Sequence, residues 1–193
     1  MAKVVLISGV NGITGSAILD HLVKYTTQEE WRRIIITSHS PMTLVVQDPR
    51  VDFLALDFSK PVDVLAQDMS RLCTEVTHAH FSSYVHKDSF AELNVADRSL
   101  FKKFLDALLL VVGNCLQNCT LQTGGKYYNN LYYHQEDLLR ERQRGTTWSW
   151  NVIRPEAIIG YAVKPNGMNE ALTLTLHFLV CKKLGVEAGM PTN

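Results

Sequence analysis

The residues with the sharpest chemical meaning stand near the N-terminus, in the run Gly9-Val10-Asn11-Gly12-Ile13-Thr14-Gly15. Three glycines at this spacing, after a short apolar run and before a helical one, suit a turn that grips a diphosphate. Gly9 permits a tight turn off the strand, and Gly12 lets backbone approach a pyrophosphate. Gly15 lets the helix pack close to the sheet. The helix start then offers free N–H groups and the positive end of its dipole to the phosphates. The candidate contacts are Gly9, Asn11, Gly12, Ile13, Thr14 and Gly15.

A second group closes the next strand, at Thr37-Ser38-His39-Ser40. A nucleotide with free ribose hydroxyls is usually held there by Asp or Glu. This stretch has no acid. Hydroxyls and an imidazole suit a 2′-phosphate better, so Ser38, His39 and Ser40 favour NADP(H) over NAD(H). Asp57 has two readings. It could accept from the adenine amino group, or it could cap the turn that follows.

The glycine spacing resembles that of short-chain dehydrogenase/reductases, whose ordinary members carry Tyr-x-x-x-Lys on one helix. The lysine lowers the pKa of the phenol for proton exchange. Here Tyr133 is followed four residues later by Asp137, and Tyr132 by Glu136. An acid raises the pKa of a neighbouring phenol. Any lysine must come from elsewhere, and Lys126 in T-G-G-K-Y-Y is the candidate, just past the fifth strand where such folds place ligands.

Taken in order, G-V-N-G-I-T-G, V-T-H-A-H-F, Q-T-G-G-K-Y-Y and L-Y-Y-H-Q-E-D resemble the progesterone 5β-reductase/iridoid synthase-like proteins. These are atypical extended short-chain dehydrogenase/reductases, with fungal relatives associated with secondary metabolism. The resemblance implies NADPH as cofactor and reduction of the activated C=C of an enone or enal by 1,4-addition of hydride. It matches Lys126 to the family lysine and Tyr133 to the family tyrosine, which stabilises a developing enolate oxygen. Tyr132 is the alternative if the register is shifted by one. Both tyrosines also read as aromatics of an amphipathic helix packing into the core, and Lys126 as a solvated loop lysine. The resemblance further places Phe81 and Ser82 along the cofactor. It sets the backbone of 156–159, after Arg154-Pro155, past the nicotinamide, with Ile158 as the contact. Asn94 resembles a helix asparagine of the family, and equally reads as a buried polar group bonded to backbone.

The elements that must hold these residues alternate strand and helix. Strand-like runs fall at 3–7, 33–37, 52–56, 76–81, 120–122 and 148–153. Helical patterns fall at 14–25, 61–73, 89–110, 131–144 and 168–184, with Gly145 and Gly185 at C-cap positions. The alternation predicts a Rossmann-type doubly wound parallel sheet of the α/β class. The expected division is a nucleotide-binding domain over 1–160 and the start of a C-terminal substrate region over 161–193. Relatives carry an insertion between the lysine and tyrosine motifs and further C-terminal elements that wall the substrate site. The sequence runs from Tyr128 almost directly to Tyr132 and ends at Asn193. Cofactor binding is therefore expected to withstand this truncation better than catalysis, since hydride transfer needs a pocket closed to water.

Composition narrows the remaining classes. Lys plus Arg balances Asp plus Glu at 19 each among 193 residues, so there is no basic footprint for nucleic acid. The run Arg140 to Arg144 reads as a solvated helix end. Cys73, Cys115, Cys119 and Cys181 lack metal-ligand spacing and suit reduced thiols of a cytoplasmic protein. No signal peptide is expected, and 172–180 is too short to span a bilayer. The expected partner is a small-molecule carbonyl or enone substrate, with a homodimer left open. Two other readings stand beside the reductase. One is a non-catalytic nucleotide- or partner-binding module, and the other is a related isomerase or cyclase without net hydride transfer.

Overall fold

The computed structural model describes residues 2–39, 46–85, 87–124, 131–162 and 168–190. In chain order the elements are β1 (Lys3–Ser8), α1 (Ile13–Tyr25), β2 (Trp31–Ser38), β3 (Val51–Ala55), α2 (Val62–Met69) and β4 (His78–Phe81). Then follow α3 (Phe90–Val112), β5 (Asn118–Gln122), α4 (Leu131–Gln143), β6 (Ser149–Ile153) and α5 (Glu170–Leu184). The six strands form one parallel sheet in the order β3-β2-β1-β4-β5-β6. This order makes the doubly wound parallel sheet that the alternation predicts.

The apolar run of β1 needs cover on both faces, and it has it. Val4 and Leu6 join the larger core beneath α2 and α3, while Val5 and Ile7 join a smaller one with Leu19 and Leu22 of α1. The larger core is anchored by Phe101, Phe104 and Leu108 of α3, all fully buried. Phe81 lies over them, 5.0 Å from the Phe101 ring and 4.9 Å from Phe104. Aromatic pairs at such spacings add to what area burial gives.

The helix over 61–73 is shorter than its spacing suggested. Pro61 sits at its N-cap, and after Met69 the chain turns back so that the Leu72 and Cys73 N–H groups both reach the Met69 carbonyl. The basic end of α4 is also more than a solvated tip. Arg142 bonds Asp106 of α3 at 2.7 Å, tying the two helices together. Cys73, Cys119 and Cys181 are buried and Cys115 is exposed. Burial pushes the Cys73 and Cys119 thiols up to about 12, so both are protonated and inert.

The far end of the sheet is built differently. β6 is an edge strand, and on one face Ser149 and Asn151 are exposed. Asn118 gathers them into a polar ladder, donating to Ser149 Oγ at 2.9 Å and accepting from Thr120 and Asn151 at 3.0 and 3.3 Å. α5 keeps Leu176, Phe178, Leu179, Val180 and Leu184 exposed, and Cys181 is its buried residue. Among the described residues no helix is long and apolar enough to cross a membrane.

Candidate functional site

The parallel order places a switch point between β1 and β4, because β1 leads to α1 on one face and β4 leads to α3 on the other. Ligands of open α/β sheets bind outside the carboxyl ends of such strands. Here those ends are stitched together. The Ser82 N–H donates to Ser8 Oγ at 3.1 Å, and Ser82 Oγ donates to the Ser8 carbonyl at 2.8 Å. A cleft of about 640 Å³ opens above them.

Two glycines of the turn are required by this geometry. Gly9 has φ +70°, and a Cβ on it would lie 2.9 Å from the Ser82 carbonyl oxygen. A Cβ on Gly15 would collide with the Gly9 carbonyl and come within 2.8 Å of Val10 Cα. Gly15 thus brings α1 against the turn, as its position predicts. At the helix start Gly12 makes no side-chain cap, and the first turn holds no acid. Its N–H groups and positive dipole end are therefore available to an anion.

Of the expected cofactor contacts, Gly9, Asn11, Gly12, Ile13, Thr14, Gly15, Ser38, His39, Asp57, Phe81, Ser82 and Ile158 all line the cleft. Ile158 reaches it because the chain after β6 folds back over α1. Ser16 Oγ donates to the Tyr161 carbonyl at 3.4 Å, and Gly160 lies against Ile13. Asp57 takes the turn-capping alternative with one oxygen, accepting the Ser59 N–H at 2.9 Å. The other stands 3.6 Å from His39 Nε2. The Ser59 bonds first, then His39 and Lys60, hold the Asp57 carboxyl below its ordinary range. Ser40 and Lys126 lie outside the described residues.

Helix geometry separates the two tyrosines in space. Residues 132, 135, 136 and 139 share one face of α4 at i, i+3, i+4 and i+7, and Gln135, Glu136 and Leu139 are buried. That face carries Tyr132 into the cleft, against the backbone of Gly124, where an added Cβ would meet the phenol oxygen at 3.2 Å. Tyr133, about 100° round the helix, is not among the cleft-lining residues. Glu136 is taken up by Arg154, whose guanidinium donates to it at 2.6 Å. Burial raises the Tyr132 phenol above its ordinary pKa, with smaller contributions from Tyr84 and Asp97. The group stays protonated at neutral pH, so it is a hydrogen-bond donor and a poor base.

The cleft also holds groups that were not among the candidates: Tyr84, Asp97, Thr123 and Gln135. Asp97 is 3% exposed, and burial pushes its carboxyl up to about 6 even though it accepts the Val85 N–H. One signal was available in the sequence. Asp97 lies on the stripe 97, 101, 104, 108 of α3, whose other members are Phe101, Phe104 and Leu108, and an acid on an apolar stripe is unusual. Asn94, by contrast, does not line the cleft, and its buried Oδ1 has no hydrogen-bond partner among the described residues.

No protein-family model matches the chain. Among curated proteins it is 47% identical to the short chain dehydrogenase gsfE of Penicillium aethiopicum, across 100% of the chain and 57% of that protein. It is 27% identical to the 3-oxo-Delta(4,5)-steroid 5-beta-reductase of Arabidopsis thaliana, over 95% of the chain and 53% of the reductase. It is 28% identical to the (S)-8-oxocitronellyl enol synthase ISY1 of Nepeta racemosa, over 98% and 54%. The chain thus spans about half the length of the curated relatives it matches. Among solved structures, a short chain dehydrogenase from Burkholderia cenocepacia in complex with NADP aligns with TM-score 0.64 at 15% identity, covering 93% of this chain and 84% of that one. Yeast methylglyoxal/isovaleraldehyde reductase Gre2, complexed with NADPH, aligns with TM-score 0.64 at 13% identity, over 84% and 60%. At these identities the structural likeness speaks for the fold.

Proposed function

We propose that the chain is a short-chain dehydrogenase/reductase, akin to the progesterone 5β-reductase and iridoid synthase-like proteins it resembles, and that it is an NADPH-dependent oxidoreductase reducing the activated C=C or carbonyl of a small molecule. The observation that carries this reading is one cleft joining the glycine turn to a protonated tyrosine at the carboxyl ends of β1, β4 and β5.

The residues fit the nucleotide. The turn is a cradle that a Cβ on Gly9 or Gly15 would fill, and Gly12 leaves the α1 N-terminus open to the diphosphate. Ser38 and His39 end β2 without a carboxylate of their own. The His39 ring nitrogen stands 3.6 Å from Asp57, at the cleft end of β2. Proteins of the same fold bind NADP, NADPH or NAD, so the choice rests on these residues. When bound, NADPH supplies the hydride.

Everything else falls to the protein. Phe81 and Ile158 give the cleft apolar walls that exclude water. Tyr132 donates its phenolic hydrogen to the substrate carbonyl oxygen, where negative charge builds as the double bond is reduced. With its pKa raised, it holds its proton until that charge appears. Lys126 is proposed to assist from the loop after β5, and residues 161–193 to begin the substrate wall.

The test is a pair of variants. Tyr132→Phe should lower the rate of NADPH oxidation with an enone roughly 100-fold while NADPH affinity by calorimetry stays near wild type. Tyr133→Phe should do little. The reverse pattern would return the role to Tyr133, and no heat with either NADPH or NADH would remove the reading altogether.

A further inference from the structure

Asp97 and Gln135 form one wall of the cleft, from α3 and α4 respectively, and both are almost wholly buried, at 3% and 4% exposed. Their orientations are fixed by backbone. Asp97 Oδ1 accepts the Val85 N–H at 2.9 Å. Gln135 Nε2 donates to the Asp97 main-chain carbonyl at 3.3 Å. A carbonyl can only accept, so the amide cannot be turned the other way, and Oε1 is the Gln135 atom left over. Asp97 Oδ2 and Gln135 Oε1 then have no hydrogen-bond partner among the described residues.

Buried polar atoms in native proteins are bonded, and exceptions call for a reason. Here the two exceptions are of one kind. Both are oxygen acceptors, and they stand on adjacent packed helices in the cleft that holds Tyr132. A ligand that satisfies them must bring a donor. The carbonyl of an enone brings none, so its oxygen belongs to the Tyr132 phenol instead. The wall and the phenol therefore ask for different groups on the same molecule.

We propose that Asp97 and Gln135 form a hydrogen-bond-accepting subsite that selects substrates carrying a hydroxyl group in addition to the carbonyl held by Tyr132. The inference rests on the reductase reading and adds the substrate class to it. Above about pH 6 Asp97 is a carboxylate, the stronger acceptor that forms charge-assisted bonds.

The test uses the chain saturated with NADP+, so that nothing turns over, and three probes: cyclohex-2-enone, its 4-hydroxy derivative and its 4-methoxy derivative. Affinities are read by NMR titration. The hydroxy probe should bind about 10-fold or more tightly than either of the others, as expected for a hydrogen bond to a buried charged acceptor. Asp97→Asn keeps Oδ1 for Val85 and replaces Oδ2 with a donor, so the preference should vanish or pass to the methoxy probe. Gln135→Met should weaken the preference without reversing it. Equal binding of the hydroxy and unsubstituted probes by wild type, or an unchanged preference in Asp97→Asn, overturns the subsite while leaving the reductase reading in place. Absence of NADP+ binding overturns both.

Discussion

The switch point between β1 and β4 and the far edge made by β6 and α5 are assembled from the same strand-and-helix unit, yet they are packed in opposite ways. At the switch point the strand is covered on both faces, the serines of two strands are cross-bonded and two glycines let backbone touch backbone. At the edge one sheet face is a polar ladder and the helix beyond it exposes leucines, with no described residue covering them. The glycine turn and the strand ends of the first region line the cleft together. The second region presents apolar surface, the ordinary mark of an interaction site, and so contributes little to the site beyond Ile158 and Met168.

This contrast can be broken by substitution. The largest effect is expected in the core: Phe104→Ala should cost about 3–5 kcal/mol in denaturant unfolding, because Phe104 is fully buried among Phe58, Phe81 and Phe101. Leu179→Ala on α5 should change stability by no more than about 0.5 kcal/mol. A large loss at Leu179 would mean that α5 is packed after all.

Next come the glycines. Gly15→Val should lose roughly 3 kcal/mol of stability through overpacking and abolish measurable NADPH binding by calorimetry, since its Cβ has nowhere to go. Gly189→Ala meets open space and should be silent in both measurements. Retained cofactor affinity in Gly15→Val would show that the turn can open without cost.

The smallest effect concerns protons. Burial pushes Asp97 up to about 6 from 3.8, so between those values the folded chain holds a proton that the unfolded chain has released. Its contribution to stability is complete below about pH 4 and is lost as the pH rises through about 6. His80 works the other way in much the same window. Burial lowers its imidazole from 6.5 to about 4, so the unfolded chain takes up a proton first and stability falls on acidification. Only the difference between wild type and Asp97→Asn isolates the carboxyl. Urea unfolding at a series of pH values should show the variant gaining on wild type from about pH 4 to pH 7. A constant offset would mean that Asp97 is solvated in the folded chain.

Much of this molecule could be read directly. The alternation of apolar and amphipathic runs pointed to a doubly wound parallel sheet, and Gly9, Gly12 and Gly15 announced the turn, because their chemistry is local: a positive φ, a missing Cβ and a helix start all lie within seven residues. Ser38, His39 and Asp57 could be placed beside the cleft for the same reason, since they follow strand ends at the carboxyl edge of a parallel sheet. What the chain by itself left open depends on how helices are rotated against one another. That Tyr132 lines the cleft and Tyr133 does not follows from which face of α4 is buried, a matter of a single residue's rotation. Asp97 and Gln135 meet only because α3 and α4 pack side by side. Local sequence dictates that these helices exist and which residues line each stripe, but the pairing of one stripe with another is settled by close packing across 38 residues of chain, and only the folded structure shows it.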